Sequence, residues 1–232
     1  MKIESLEIRR LFTVTVTENY YGFYQVDGDS SNDTINISVS QNDQTFTLNG
    51  VTYADAYYIS VFGNGGDDAI SLISQDPPGN IGAGIDGGDG NDTITLNFDG
   101  AVYAGAGDDT VYLRDSFRGE VYGQEGNDHI VVSGASVYAQ IEGNDGNDFI
   151  DCSNNDYSVT IHGGAGDDTL IGSTHDDELY GDEGANSIDG NGGNDTFYCQ
   201  YSSQDTVMGG SGFDVLHSGG NEASVNGIEQ TV

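Results

Sequence analysis

The sequence predicts an all-β solenoid, and three observations support this fold class. Residues 163–198 consist of four nine-residue units that follow one another without a spacer. Each unit opens with glycine and places leucine, isoleucine or phenylalanine at its eighth position. Much of the remaining chain alternates apolar and polar residues with a period of two, and no segment shows a helical period. Because one apolar residue per unit cannot form a core alone, successive units must stack on one another.

Glycine and aspartate have separate roles in these units. Glycine permits a positive φ angle, so a glycine-rich turn can bend its carbonyl oxygens towards a shared space. The sixth position holds Asp168, Asp177 and Asp195 in three units and Asn186 in the remaining one. Calcium binds about six to eight oxygen ligands, and one such turn offers about half of them. We therefore expect calcium ions to lie between stacked turns and to join successive coils.

This spacing resembles that of the RTX, or haemolysin-type, calcium-binding repeat GGxGxDxUx, in which U is a large apolar residue. Residues 87–95 and 163–171 match every fixed position of the repeat. The resemblance implies that the first six residues of each repeat form a calcium-binding turn and the last three a short strand. It also implies a parallel β-roll, or β-solenoid, with calcium-binding turns stacked about every 18–20 residues.

The intervals between repeats assign the turns to two columns. They are 24, 17, 19, 20, 20, 9, 9, 9 and 19 residues. A coil of two nine-residue units returns the chain to the same side after about eighteen residues. The turns from Gly63 to Gly163, together with Gly181, should therefore form one calcium column, and the other three a second column on the opposite edge. The full or near-full motifs begin at Gly63, Gly87, Ala104, Gly123, Gly143, Gly163, Gly172, Gly181, Gly190 and Gly209.

The sixth-position aspartates are the candidate calcium ligands. For a single turn, a solvated carboxylate is the alternative, but a series in constant phase favours calcium. Two turns depart from the repeat, since His175 replaces the second glycine of one and Asn186 offers only a neutral oxygen in another. We expect about six ions in the first column and about two in the second, about eight in all. The candidate ligands are Asp68, Asp92, Asp109, Asp128, Asp148, Asp168, Asp177, Asp195 and Asp214.

The charge of the chain limits its partners. Its 232 residues include 39 acidic and 5 basic side chains, a formal net charge of −34. Electrostatic attraction to nucleic acid or to an anionic membrane is therefore excluded. No run of about eighteen apolar residues is present, so no membrane span is predicted, and the first residues lack the apolar run of a signal peptide. Repulsion between its negative charges should keep the chain unfolded until cations bind. An acidic disordered chain is the alternative, but apolar residues that recur in phase with the glycines disfavour it.

Three regions are predicted. Residues 1–62 form a β-rich segment of degenerate first coils with cap or docking strands, 63–218 the calcium-binding β-roll, and 219–232 a last coil or cap. Within the first region, SLEIRRLF at 5–12 resembles a short segment of planctomycete surface proteins, which suggests an extracellular protein. Strands within 11–27 are the candidate docking segment. The paired prolines Pro77 and Pro78 predict a loop that protrudes from the roll.

Alternation also assigns several side chains to one face. Cys152 and Cys199 should point inward as buried thiols. A disulfide between them is the alternative, but the predicted separation of their coils is too large for one. Tyr103, Tyr122 and Tyr180 should point outward. They form either a structural ladder or a contact surface for a carbohydrate or a protein.

No catalytic motif is found, and the four histidines are scattered, so we expect no catalytic residues and no enzyme. An enzyme acting on a polyanion would need clustered basic residues, and only Arg114 and Arg118 follow residue 10. The sequence favours an extracellular calcium-binding structural protein whose open ends associate head to tail into filaments or a surface layer. The alternative is a monomeric calcium-folded module for adhesion or type I secretion. Expected partners are further copies of the chain and, less directly, a surface polysaccharide.

Overall fold

The computed structural model describes residues 14–20, 22–76, 79–115, 117–134, 139–199, 204–219 and 224–232. Within these ranges the chain forms 24 strands and no helix. The all-β prediction is therefore confirmed. The segment 5–12, the prolines Pro77 and Pro78, and parts of the predicted docking segment 11–27 lie outside the described residues.

The strands are short because each one runs between two turns of the same coil. Those of the first half are β1 (Thr15–Tyr20), β2 (Phe23–Asp27), β3 (Thr34–Ser40), β4 (Thr45–Leu48), β5 (Val51–Tyr53), β6 (Tyr58–Phe62), β7 (Ala69–Ser74), β8 (Gly82–Asp89), β9 (Thr93–Leu96), β10 (Gly100–Ala106), β11 (Thr110–Leu113) and β12 (Gly119–Glu125). Those of the second half are β13 (His129–Gly134), β14 (Ala139–Asp145), β15 (Phe149–Asn155), β16 (Thr160–Ala165), β17 (Thr169–Ile171), β18 (Glu178–Tyr180), β19 (Ser187–Asp189), β20 (Thr196–Cys199), β21 (Thr206–Met208), β22 (Val215–Ser218), β23 (Ser224–Asn226) and β24 (Gln230–Thr231).

The strands form two sheets of twelve. The first sheet has the order β1-β2-β6-β8-β10-β12-β14-β16-β18-β20-β22-β24, and the second β23-β21-β19-β17-β15-β13-β11-β9-β7-β3-β4-β5. From β6 onwards, successive strands alternate between the sheets, and neighbours within a sheet are parallel. One coil therefore contributes one strand to each sheet. The parallel β-solenoid predicted from the repeat is confirmed.

The N-terminal end is built differently from the rest. There β1 pairs antiparallel with β2, and β3, β4 and β5 form an antiparallel meander. The rings of Tyr24, Phe46 and Tyr53 pack together at this end, with centroids 4.7 to 5.7 Å apart. These strands continue both sheets, because β2 and β3 pair in parallel with β6 and β7. The division of the chain at residue 62 stays a prediction.

Two in-register stacks of aliphatic and aromatic side chains form the core. Inward residues from both sheets belong to one hydrophobic cluster. Burial of each such side chain stabilises the fold by about 1.5–3 kcal/mol relative to exposure. The first sheet contributes Val26, Val61, Ile85, Val102, Val121, Ile141, Ile161, Leu179, Phe197 and Leu216, and the second Ile35, Ile70, Ile94, Val111, Ile130, Ile150, Leu170, Ile188 and Val207.

The facing of the cysteines and tyrosines agrees with the sequence prediction. Both cysteines are buried, and neither forms a disulfide. Tyr103 is 41% exposed and its ring stacks on that of Tyr122 at 5.1 Å. A second stack on the same outer face, only partly predicted, joins His162, Tyr180, Tyr198 and His217 at centroid distances of 4.1, 4.4 and 4.8 Å.

Candidate metal centre

The glycine-rich turns lie where the chain passes from one sheet to the other. In the coil that contains Asp168, β16 of the first sheet precedes the turn and β17 of the second follows it. Gly164 and Gly166 take φ angles of +107° and +139°, which few side-chain-bearing residues adopt. A Cβ at Gly166 would also collide with the carbonyl oxygen of Gly146 in the preceding coil. Glycine is therefore required both for the bend and for the close stacking of turns.

The sixth-position residues of this edge form a continuous ladder. In each coil the backbone N–H of the sixth residue donates to a side-chain oxygen of the sixth residue in the following coil. The N···O distances are 2.7 to 2.9 Å. The first ladder runs through Asp33, Asp68, Asp92, Asp109, Asp128, Asp148, Asp168, Asn186 and Asp205.

A second ladder occupies the opposite edge, where the chain passes from the second sheet back to the first. It starts at the N–H of Val159, which donates to Asp177 Oδ1 at 2.8 Å. Asp177 and Asp195 then donate to the next aspartate at 2.9 Å each, and Asp214 donates to Glu229 Oε2 at 2.7 Å. The two-column arrangement of the turns therefore agrees with the intervals in the sequence.

One oxygen of most of these carboxylates is buried without a hydrogen-bond partner. The aspartates of both ladders are at most 2% exposed. A carboxylate oxygen can only accept, and a buried acceptor without a donor is destabilising. Among the described residues, the unpartnered oxygens are Oδ1 of Asp33 and Oδ2 of Asp68, Asp92, Asp109, Asp128, Asp148, Asp168, Asp195 and Asp214.

The opening glycine of each turn shows where these oxygens point. A Cβ at Gly143 would collide with Asp148 Oδ2 in its own turn and would lie 2.5 Å from the carbonyl oxygen of Gly163 in the next coil. The same pair of oxygens surrounds the opening glycines of other intact turns, among them Gly123 and Gly190. Two acceptors therefore face one small space that no side chain fills. This set of carboxylate and carbonyl oxygens fits a hard divalent cation such as calcium.

Comparison with known families identifies the repeat. The model of the RTX calcium-binding nonapeptide repeat matches residues 85–99, 101–115, 140–151, 155–174, 171–198 and 202–222. The chain is an RTX-repeat protein. No curated protein and no solved structure gives a match. The matched segments begin at residue 85, so the likeness of residues 5–12 to planctomycete surface proteins stays a prediction.

In this RTX-repeat protein each turn offers one carboxylate, and the remaining oxygens of a site would come from the backbone. Accordingly, no group of three or more His, Cys, Asp or Glu side chains that could hold a metal occurs within the described ranges. The resemblance to the family and the unpartnered oxygens, rather than a side-chain cluster, indicate the sites.

Burial raises the pKa of the ladder aspartates, because removal from water disfavours the charged form. The pKa is raised to about 6 at Asp68 and to about 7 at Asp109 and Asp168. Neighbouring carboxylates raise it further, and the N–H donors of the ladder lower it. The ionised ladders therefore destabilise the fold near neutral pH unless a cation compensates their charge.

The two turns that depart from the repeat satisfy their own side chains. The amide nitrogen Nδ2 of Asn186 donates to the carbonyl oxygen of Gly181 at 2.7 Å, so a donor occupies the place of the unpartnered oxygen. In the turn that contains His175, the N–H and hydroxyl of Ser173 donate to Asp177 at 2.6 to 3.1 Å. These two turns need a cation less than the others do. We therefore expect Asp177 to contribute less to calcium binding than the other predicted ligands do.

Three acidic ladder residues were absent from the predicted ligand set. Asp33 and Asp205 each stand two residues before an inward apolar residue, Ile35 and Val207. This Asp-x-apolar pattern is shared by the predicted ligands and could have identified both residues. Glu229 carries no such signal, because Thr231 follows it at that spacing.

Replacement of Asp109 by asparagine tests the ladder against an adjacent control. Asp109→Asn leaves an oxygen for the N–H of Asp92 but removes the charge and the unpartnered oxygen. We expect loss of at least one bound ion and a several-fold higher calcium concentration at the folding midpoint, measured by native mass spectrometry and calcium-titrated circular dichroism. The control is Asp108→Asn, an exposed fifth-position residue where the next coil already has Asn127. Equal calcium binding by the two variants would contradict the assignment of Asp109.

Asn186→Asp should create a site. The change replaces the donor Nδ2 by an acceptor oxygen and restores the arrangement of the other turns. We expect one additional bound ion by native mass spectrometry, and lower stability than the parent protein in chelator. Asn147→Asp, at an exposed fifth position, adds the same charge outside the ladder and should leave the ion count unchanged. An unchanged number of bound ions in Asn186→Asp would contradict the interpretation that the amide of Asn186 prevents ion binding in this turn.

Folding without calcium should depend on pH. The ladder carboxyls have a folded pKa of about 6 to 7 against an ordinary value of 3.8, so the folded chain binds protons more tightly than the unfolded chain. Their stabilising protonation is complete below the ordinary value and is lost as the pH rises through about 6 to 7. In chelator, far-UV circular dichroism should show mostly coil at about pH 8 and a growing β signal towards about pH 5. A native β signal in chelator at the higher pH would contradict the ligand assignments.

Proposed function

We propose that the protein is an extracellular structural protein whose β-solenoid is ordered by calcium ions between coils and which assembles end to end into filaments or a surface layer. The observation that carries the calcium part is the row of buried carboxylate oxygens without partners along both edges. Extracellular calcium is about millimolar, a concentration at which sites of this class fill. RTX repeats are typical of secreted proteins, which supports this location.

The proposed ligands are the nine predicted aspartates, with about eight ions in total. Asp33 and Asp205 extend the first column by one rung at each end. Each ion would contact the turns above and below it and would thereby fix the spacing of two coils.

The assembly part of the proposal rests on the ends of the two sheets. Within the described residues, β1 and β5 are the last strands at the N-terminal end, and β24 and β23 at the C-terminal end. A terminal strand presents backbone N–H and C=O groups that another chain can pair with. Head-to-tail stacking would pair β24 with β1 antiparallel and β23 with β5 in parallel. Such a contact does not close on itself, so it propagates into a filament.

The side chains at the two ends are also apolar and accessible. Val225 occupies the inward register of the core stack, because it pairs with the buried Val207, yet it is 44% exposed. Val232 is 56% exposed at the same end, and Val51 of β5 is 54% exposed at the other. Stacking of a second copy would remove this apolar surface from water. This favours a further copy of the chain as the partner.

A monomeric calcium-folded module for adhesion or type I secretion is the second candidate. The packed rings of Tyr24, Phe46 and Tyr53 favour it, because they close the core at the N-terminal end. A closed N-terminal end would leave only the C-terminal end for docking and would prevent growth of a filament.

The proposal includes no catalytic role and no polyanionic partner. Of the two arginines in the described part of the chain, Arg118 pairs with Asp99 at 2.5 Å and Arg114 lies 5.5 Å from the ring centre of Tyr112. Neither lines a basic groove with other cations. Among the residues that the structure describes, there is no helix long and apolar enough to cross a bilayer. A surface polysaccharide stays a proposed partner, with Tyr103 as the most exposed ring of its stack.

Electron microscopy of the purified protein, with about millimolar calcium and then with chelator, tests the assembly proposal. We expect fibres with calcium that dissolve in chelator. The N–H groups of Gln230 and Val232 donate to the carbonyl oxygens of Asp214 and Leu216, so the N–H of Thr231 between them faces the free edge. Thr231→Pro removes that N–H and should abolish the fibres. Thr231→Ala is the matched control and should assemble normally. Discrete particles of the parent protein in calcium would refute assembly and favour the monomeric module.

A further inference from the structure

The last turn of the second column lies outside the repeat. It consists of Gly227, Ile228 and Glu229, beyond the matched segments, which end at residue 222. Gln230 pairs in register with Val215, the residue that follows Asp214. Glu229 therefore stands one coil after Asp214, at the position that aspartate holds in the preceding turns of the second column.

The contacts of Glu229 repeat those of the ladder. The N–H of Asp214 donates to Glu229 Oε2 at 2.7 Å, as the N–H of Asp195 donates to Asp214 Oδ1 at 2.9 Å. The carbonyl oxygen of Asp214 accepts from the N–H groups of Glu229 and Gln230 at 3.1 Å each. The carboxylate of Glu229 thus serves as the final rung of the second ladder.

An unpartnered buried oxygen faces this rung. Asp214 is fully buried, and its Oδ2 has no hydrogen-bond partner. A Cβ at Gly209 would lie 2.6 Å from this oxygen and would also collide with the carbonyl oxygen of Gly227. Two acceptors from successive turns therefore face the same space, as they do in the intact repeats. The carboxylate of Glu229 adds a negative charge beside them.

The shortened turn explains why glutamate stands here. An intact turn has five residues from its opening glycine up to the carboxylate residue, as from 209 to 213, whereas only Gly227 and Ile228 precede Glu229. The additional methylene of glutamate gives its carboxylate a longer reach than an aspartate has. Gly227 and Glu229 are exposed, so water has access to this side of the space. Fewer protein oxygens and access to water give weaker calcium binding than in the inner turns.

We propose that Asp214, Gly227 and Glu229 form a further calcium site at the C-terminal end of the second column. Its ion attaches the last coil, and with it β24, to the roll. The site rests on the proposed calcium binding of the chain and adds a regulatory step to it. Because this site binds calcium more weakly than the intact inner turns, β24 becomes an ordered docking strand only at calcium concentrations above those that fold the roll.

The variant Glu229→Gln tests the site and retains an oxygen for the N–H of Asp214. Native mass spectrometry in calcium should show one ion fewer than in the parent protein. Hydrogen exchange at β24 should become faster, while exchange at β18 and β20 is unchanged. The matched control is Glu120→Gln, an exposed residue of the outer face whose Oε2 accepts from the hydroxyl of Tyr122 at 3.2 Å. The control should match the parent in both measurements.

A calcium titration of the parent protein supplies a test that needs no variant. Protection from exchange at β24 should appear at several-fold higher calcium than protection at β18 and β20. Protection at a single common concentration, or an unchanged ion count in Glu229→Gln, would overturn the proposed site while leaving the calcium columns intact. A parent protein that binds no calcium would overturn both proposals.

Discussion

The stacking of buried carboxylates is the constraint on which the rest of this structure depends. From Asp68 onwards, each ladder aspartate accepts a hydrogen bond through one oxygen from an N–H of the preceding coil. In the intact turns the other oxygen faces a carbonyl oxygen with no donor between them. The first contact sets the register of the coils. The second makes the fold depend on a cation, because uncompensated buried carboxylates repel one another and lack solvation. Register and cation dependence therefore come from the same side chain.

This arrangement explains why so acidic a chain can form two long parallel sheets. Strands of two to eight residues bury only a narrow row of apolar side chains, and each coil contacts mainly its neighbours. A core of this width gives limited stability, while the net charge of −34 opposes compaction. Cations at both edges would neutralise charge where it is most concentrated. The fold is thus suited to an environment in which calcium is supplied from outside.

The two ends of the solenoid differ, and this difference bears on function. At the N-terminal end an antiparallel meander and packed aromatic rings cover the core, whereas the C-terminal end exposes Val225, a member of the core stack. A subunit with two different ends has a direction. Whether the terminal edges of the meander accept another chain decides between a filament and a monomeric module.

The sequence by itself determined the coil, the two columns and most of the ladder residues, because a strict spacing of glycine, aspartate and apolar residues leaves few alternatives for a stacked chain. It could not show which ladder side chains have hydrogen-bond partners, because this depends on contacts between residues far apart in sequence or on side-chain orientation. The tertiary structure decided that the amide of Asn186 closes its own turn, that Ser173 satisfies Asp177, and that Glu229 continues the second ladder. It also decided the antiparallel N-terminal end, since short alternating strands carry no signal for the direction of their pairing. Periodicity fixes what repeats, whereas the exceptions depend on three-dimensional contacts that no local pattern encodes.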